Sequence, residues 1–220
     1  MNKPKINYQV ILEKKIKEVE KLDFIPTLLL HSCCAPCGSY VLEYLADYFK
    51  ITVYYYNPNI TFDDEYQKRY VEQQEFIKAI NKTAKNKIEF LGGSYDTKEF
   101  YDKIKGLEDV REGGERCFEC FDLRLTQTAK IAKELNYDYF TTALSISPLK
   151  NGQKINQIGI ELEEKLGIKF LRADFKKKNG YKRSIELSRD HNLYRQDYCG
   201  CVYSKIEREE AENQRDVGSN

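Results

Sequence analysis

The sequence predicts an α/β fold, a parallel sheet with crossover helices on both faces. Short runs rich in aliphatic, β-branched and aromatic residues alternate with longer stretches of helical periodicity along the 220 residues. That alternation is the pattern of a parallel sheet. The length suits one well-filled core, and neither an internal repeat nor a linker divides it. Cysteines and polar residues gather just after the predicted strands, at the edge where such sheets bind ligands.

The elements follow in order. Residues 1–23 are charged throughout, with Ile and Leu on one side, and read as an N-terminal helical extension, packed on the surface or frayed. A single α/β catalytic domain spans 24–206. Pro26 precedes TLLLHS, a short apolar run that fits a buried strand. CCAPCGSYVLEYLADYF follows, with Val41, Leu45 and Tyr48 at helical spacing, so three cysteines lie on a strand-to-helix turn. ITVYYYNPN is a second strand, stopped by Asn57, Pro58 and Asn59. The next helix has Thr61 as its cap, acidic residues in its first turn, and Tyr66, Tyr70, Gln73, Ile77 and Ile80 on one face. KIEFLGG is a strand, TKEFYDKIKGL a short helix, EGGER a turn, and CFECFDLRLTQTAKIAKEL a long amphipathic helix. NYDYFTTAL is a strand, SISPLKNG a loop, INQIGIELEEKLG a helix ending at Gly167, and IKFLRADF, 168–175, the last strand. One further helix and a cysteine-bearing segment complete the domain. The polar tail, 207–220, reads as disordered.

Composition removes several classes. No stretch approaches the roughly 18 consecutive apolar residues of a membrane span. The charged N-terminus has no signal-peptide core, so a cytoplasmic protein without a membrane partner is expected. A formal net charge of +1 neither demands nor excludes nucleic acid. Seven cysteines, an odd number, argue against a disulfide framework.

The cysteines form three tight groups. Cys33, Cys34 and Cys37 occupy a turn feeding a helix N-terminus, where free backbone N–H groups favour thiolates. Adjacent cysteines bind different irons of a cluster more readily than two positions of one tetrahedral zinc. Cys117 and Cys120 share one helical face and read as zinc ligands, cluster ligands or a redox pair. Cys199, Gly200 and Cys201 would close a very small disulfide ring, strained and readily reduced. A dithiol electron store is favoured there over two cluster ligands. A structural zinc site, in a zinc-stabilised RNA-binding module without redox catalysis, would use four thiolates and leave the others idle. An iron–sulfur cluster on Cys33, Cys34, Cys117 and Cys120 uses the same four and gives the rest electrons to handle. Cys37 could hold a second metal or shield the cluster.

HSCCAPCGSYV, YYYNPNITFDDEYQKR, CFECFDLRLTQTAKIAKEL, TTALSISPLKN, DFKKKNGYKRS and LYRQDYCGCVYS resemble, in that order, the motif series of the QueH-type epoxyqueuosine reductases. The resemblance covers about residues 27–205. It implies a fold similar to the adenine-nucleotide α-hydrolase-like (HUP) group. It also implies an oxidoreductase that reduces epoxyqueuosine to queuosine in tRNA, the final step of queuosine biosynthesis, without cobalamin. The implied cofactor is a 4Fe-4S cluster on Cys33, Cys34, Cys117 and Cys120, with a redox-active disulfide at Cys199 and Cys201. A second, adjacent iron held partly by a carboxylate is a further implication, with Cys37 and either Asp96 or Asp174 as its candidates. Residues 1–23 have no clear counterpart in the motif series. The turn HSCCAPCGS lacks the phosphate-binding loop that an ATP-dependent tRNA thiolase needs.

The expected partners are the tRNA anticodon loop and an unidentified electron donor. Loop bases are read by aromatic stacking and polar edge contacts. Tyr56, Asn57 and Asn59, beside Tyr54 and Tyr55, offer both at the predicted sheet edge. Tyr66 and Arg69 lie on the next helix, and Tyr194, Arg195 and Gln196 precede the C-G-C. Asp174, Tyr194 and His31 are the candidate proton donors, although His31 reads equally as a buried strand residue and Asp174 as a loop cap. Residues 169–183 carry seven basic side chains against one acidic, a patch suited to phosphate contacts.

Overall fold

The computed structural model describes residues 5–217. Five parallel strands, β1 (Thr27–His31), β2 (Lys50–Tyr55), β3 (Glu89–Gly92), β4 (Tyr139–Thr142) and β5 (Lys169–Phe170), form one sheet in the order β3-β2-β1-β4-β5. Eight described helices are α1 (Tyr8–Val19), α2 (Ala35–Leu45), α3 (Asp63–Ile80), α4 (Thr97–Lys103), α5 (Glu115–Glu134), α6 (Gly152–Leu166), α7 (Gly180–Asp190) and α8 (Val202–Val217). None of them is long and apolar enough to cross a membrane.

Strand alternation explains the layers. Leu28 and Leu30 of β1 point to a core shared with Leu12, Val41, Leu42, Phe76 and Ile77. Leu29, between them, points to the opposite core with Leu125, Ala129, Phe140, Ile155 and Ile158. A strand buried on both faces needs covering helices on both, as in other parallel sheets. The chain runs outward through β1, β2 and β3, then returns along α5 to place β4 on the other side of β1. The strand order therefore reverses between β1 and β4, and the crevice beyond their carboxyl ends is the switch point where ligands bind.

Four details depart from the sequence reading. The N-terminal segment is part of the main core: Tyr8, Leu12, Ile16 and Val19 are buried on one face of α1. Residues 1–4 of the expected extension lie outside the described residues. Thr61 does not cap α3, which starts at Asp63 without a side-chain cap. The Thr61 N–H instead donates to the Gly200 carbonyl at 3.1 Å. The last strand pairs only over Lys169–Phe170, because Asn156 takes over the backbone beyond it. Its side chain accepts from Ala173 N at 3.0 Å and donates to Ala173 O at 2.8 Å. The tail is helical through Val217, joined to α5 by the Arg116–Glu207 ion pair at 2.8 Å and stiffened by an Arg208–Glu212 pair one turn apart. Residues 218–220 lie outside the described residues.

Leu12 is fully buried, so Leu12→Ala is expected to destabilise the protein by about 2–5 kcal/mol in denaturant unfolding. A loss below about 0.5 kcal/mol, the range of surface substitutions, would mean that α1 is an appendage.

Candidate metal centre

The switch point is fastened before any cysteine is reached. His31 ends β1 with both ring nitrogens engaged. Nε2 donates to the Tyr56 carbonyl at 3.1 Å, and Nδ1 lies 2.9 Å from the Thr142 hydroxyl of β4. Burial, with the nearby Arg124 charge, pushes its pKa down to about 3. His31 is therefore a neutral tie between strands and no proton donor near neutrality. Asn57 donates to the Ser32 carbonyl at 2.9 Å, which fixes the turn that follows. Cys34 then occupies the N-cap position of α2, and Pro36 sits in the first turn.

This turn gathers three sulfurs. The Sγ atoms of Cys33, Cys34 and Cys37 lie within 4.8 Å of one another, and those of Cys33 and Cys34 are 3.9 Å apart. Hydrogen bonds from Cys34 and Cys37 hold the Cys33 thiol well below its ordinary pKa. Burial lifts Cys34 to about 12, and the hydrogen bond with Cys33 lifts Cys37. This trio is able to hold a metal ion.

The other four cysteines meet elsewhere on the same side of the molecule. Cys117 and Cys120 project from the first turns of α5, and Cys199 and Cys201 close over them. All four are free thiols. Burial raises Cys117 to about 11 and Cys120 to about 12. Gly113 N donates to Cys117 Sγ at 3.3 Å, and Ser204 N to Cys201 Sγ at 3.4 Å. Gly200 carries the C-G-C through φ +120°, and an added Cβ there would stand 3.0 Å from Ile60 and 3.2 Å from Arg69 Nη1. Arg69 donates to the Cys199 carbonyl at 3.1 Å, so α3 pins the dithiol loop.

Two cavities join the cysteine groups. One, about 270 Å³, is lined by Cys33, Cys37, Cys199, Lys150, Tyr181 and residues 195–198, among others. The second is a small enclosed space bounded by Cys117, Cys120, Cys199, Cys201, Asn59 and Arg124. Cys199 and Glu112 are the two residues that line both.

Two cations complete the site. Arg124 is wholly buried. Its Nε donates to the Cys120 carbonyl at 3.1 Å, while Nη1 and Nη2 have no hydrogen-bond partner among the described residues. Burial works to lower the pKa of its guanidinium, but the sulfurs of Cys120, Cys199, Cys33 and Cys117 overcome this and raise it. Lys150 is raised in the same way, against burial, by Cys199, Cys33 and Cys37. An unpaired buried charge is costly by several kcal/mol. A negatively charged metal–thiolate centre answers that charge, and the donor set fits one.

The residues expected from the sequence are distributed unevenly. Arg195 and Gln196 line the larger cavity, and Gln196 Nε2 donates to Cys34 Sγ at 2.9 Å. Tyr194 stands aside, its hydroxyl donating to Glu65 at 3.2 Å beneath Lys68. Asp174 is not at the cysteines. It pairs with Lys176 at 2.8 Å and lines a separate cavity that shares only Pro148, Leu149 and Lys150 with the first. Asp96 is exposed and caps α4 by accepting from Lys98 N at 2.9 Å. Neither carboxylate is available where a second iron was expected. Tyr54, Tyr55, Tyr56, Tyr66, Asn57, Asn59 and Arg69 are all buried, which corrects the expectation of a stacking surface. A central parallel strand and its following loop are covered on both faces, so tyrosine alternation merely sorts rings between two interiors. Tyr54 stacks on Tyr56, Tyr66 on Tyr95, and Arg69 pairs with Glu65. The basic stretch is also largely spent: Lys176, Lys178, Arg172 and Arg183 have carboxylate partners within the chain.

Arg124, Lys150 and Glu112 were missed. A signal existed for Arg124, which lies four residues after Cys120 and so on its helical face.

The family profile described as epoxyqueuosine reductase QueH matches residues 28–207. The epoxyqueuosine reductase QueH of Streptococcus pyogenes is 46% identical over 200 residues, covering 91% of this chain and 78% of its own. That of Staphylococcus epidermidis is 43% identical over 208 residues, covering 94% and 87%. That of Thermotoga maritima is 37% identical over 188 residues, covering 84% and 93%.

Replacing Arg124 separates structure from metal. In metal-free protein, Arg124→Met removes an unanswered buried charge and is expected to leave the Tm unchanged or raise it. In metal-loaded protein the same change is expected to speed metal loss to a chelator. A lowered Tm without metal, together with unchanged metal retention, would contradict this account.

Proposed function

The chain belongs to the epoxyqueuosine reductase QueH family, and on that basis we propose how its cysteine-lined cavity reduces epoxyqueuosine to queuosine in tRNA, completing queuosine biosynthesis. The observation that carries the reading is the convergence of two cysteine groups on one cavity through Cys199. A structural zinc site in an RNA-binding module gives no reason for a thiol to line both spaces, and family membership speaks against it.

Opening an epoxide to an alkene takes two electrons and two protons and releases water. Oxidation of the Cys199 and Cys201 thiols to a disulfide supplies that number of each. In this reading Cys33, Cys34, Cys117 and Cys120 hold a 4Fe-4S cluster, and Cys37 helps to hold an adjacent iron. When bound, this centre supplies single electrons and a Lewis-acid iron. Arg124 balances its negative charge from within the core. Gln196, bonded to Cys34, and Arg195 position the substrate ring at the cavity wall. The sealed interior beneath Asn57, Asn59, Tyr56, Tyr66 and Arg69 excludes water from the sulfurs.

Glu112 hands a proton to the departing oxygen and regains it from the thiols as they are oxidised, so the oxygen leaves as water. Glu112 lines both cavities, and burial raises its pKa. Its backbone N–H donates to Glu207 at 2.9 Å, which fixes the turn that carries it. Lys150, held cationic by the surrounding sulfurs, donates a hydrogen bond to the same oxygen. An external electron donor then restores the dithiol. The reaction is assigned to the cytoplasm, where tRNA and a reducing pool are together.

Anaerobic incubation of metal-reconstituted protein with epoxyqueuosine-bearing tRNA and a reductant, followed by nucleoside mass analysis, tests the reading. Queuosine, one oxygen lighter, is the expected product. An unchanged nucleoside with a fully loaded protein would overturn it. Cys199→Ser is expected to bring turnover to background while leaving tRNA binding intact.

A proton donor with a raised pKa works below that pKa and fails as pH rises through it. Glu112→Gln is therefore expected to lower kcat by about 10²–10⁴-fold and to remove the alkaline fall from the pH profile. A retained alkaline limb would assign the proton to another group.

A further inference from the structure

Leu149 is 72% exposed, the highest value among the large hydrophobic side chains described. Scattered apolar residues on a surface are ordinary, so exposure alone would mean little. The position of this one is unusual. It stands in the turn after β4, between Pro148 and Lys150, on the rim of the cavity lined by Cys33, Cys37 and Cys199.

The turn holds the side chain outward. Leu149 N donates to Ser147 Oγ at 3.3 Å, and Lys150 N to the Ser147 carbonyl at 3.2 Å. Pro148 restricts the backbone between them. Asn151 then caps α6 by accepting from Lys154 N at 3.1 Å. The tip is thus anchored on both sides, at Ser147, which closes the 3-10 turn Ala143–Ile146 after β4, and at α6.

The cavity beside it, about 270 Å³, is below the ordinary range for drug-sized ligands. Cys33, Cys37 and Cys199 line its wall, so the reacting ring has to enter it to reach them. A nucleoside in an RNA loop must therefore leave its stack to bring the reacting ring to Cys199. Extrusion leaves a gap in the stack, and proteins that open base stacks commonly fill such gaps with an apolar side chain. Tyr54, Tyr55, Tyr56 and Tyr66 cannot fill it, because all four are buried. At the cavity rim Leu149 projects furthest of the large apolar groups, 72% exposed against 36% for Tyr181.

We propose that Leu149 is a wedge that enters the RNA loop where the substrate nucleoside has left it, holding that nucleoside extruded in the cysteine cavity. The inference rests on the reductase reading above and adds a positioning residue for its substrate. It makes recognition of the loop, and not of the nucleoside alone, part of catalysis.

The test uses the metal-loaded protein, kept anaerobic, and an anticodon stem-loop RNA carrying epoxyqueuosine with the fluorescent base aminopurine as its neighbour. Binding of the unsubstituted protein is expected to raise the fluorescence as the neighbour loses its stacking partner. Leu149→Ala is expected to abolish most of that rise and to lower kcat/KM for the stem-loop by roughly 10-fold, within the range of a single stacking contact. Leu149→Phe restores the apolar bulk and is expected to recover both. Wild-type fluorescence and wild-type kcat/KM in Leu149→Ala would overturn the wedge while leaving the reductase reading intact. Failure of the unsubstituted protein to convert the stem-loop would strike the reductase reading itself.

Discussion

A guanidinium sealed in the protein interior, with two nitrogens that no atom of the described residues answers, is the constraint around which this site is organised. Arg124 reaches the cysteines from the same helical face as Cys120 and spends its Nε on that residue's carbonyl. Its remaining charge faces sulfur. A protein interior tolerates such a charge only when something negative meets it. Cys33, Cys117, Cys120 and Cys199 are the sulfurs in its field. The arrangement becomes economical once those sulfurs are deprotonated around metal, and Lys150 repeats the pattern at the cavity mouth.

The sheet makes this meeting possible. Cys33, Cys34 and Cys37 arrive from the end of β1, and Lys150 from the turn after β4, on the two sides of the strand reversal. His31 joins those two strand ends and the Tyr56 backbone. The C-G-C comes from the far end of the chain and is held by Thr61 and Arg69, from the segment after β2. Cys33, Cys34 and Cys37 gather in one group and Cys117, Cys120, Cys199 and Cys201 around a second space, and Cys199 lines the cavities of both.

Much of this was legible beforehand. Helix and strand periodicity gave the layers, and cysteine spacing gave the trio after β1; that Cys117 and Cys120 meet Cys199 and Cys201 emerged only from the fold. What failed has physical reasons. Tyr56 and Tyr66 read as a stacking surface because alternation reports which face a side chain takes, not whether that face is covered. Asp174 ends the predicted last strand, but Asn156 diverts the backbone there and Lys176 claims the carboxylate. The tail's polarity suggested disorder, yet ion pairs to Glu207 and within α8 support a helix. Leu12 in the N-terminal segment showed helical spacing, but only packing could reveal that it completes the main core. Arg124 showed only its spacing of four from Cys120, and Glu112 showed nothing, because the meaning of each lies in what surrounds it.

The central claim is that Cys199 and Cys201 carry the electron pair to a substrate held beside Cys33 and Cys37. The most direct measurement is a single anaerobic turnover of metal-loaded, fully reduced protein with epoxyqueuosine-bearing tRNA and no external reductant, followed by thiol alkylation and peptide mass analysis. The account predicts queuosine accompanied by a matching amount of disulfide between Cys199 and Cys201. Formation of queuosine with both thiols still free to alkylate would contradict it.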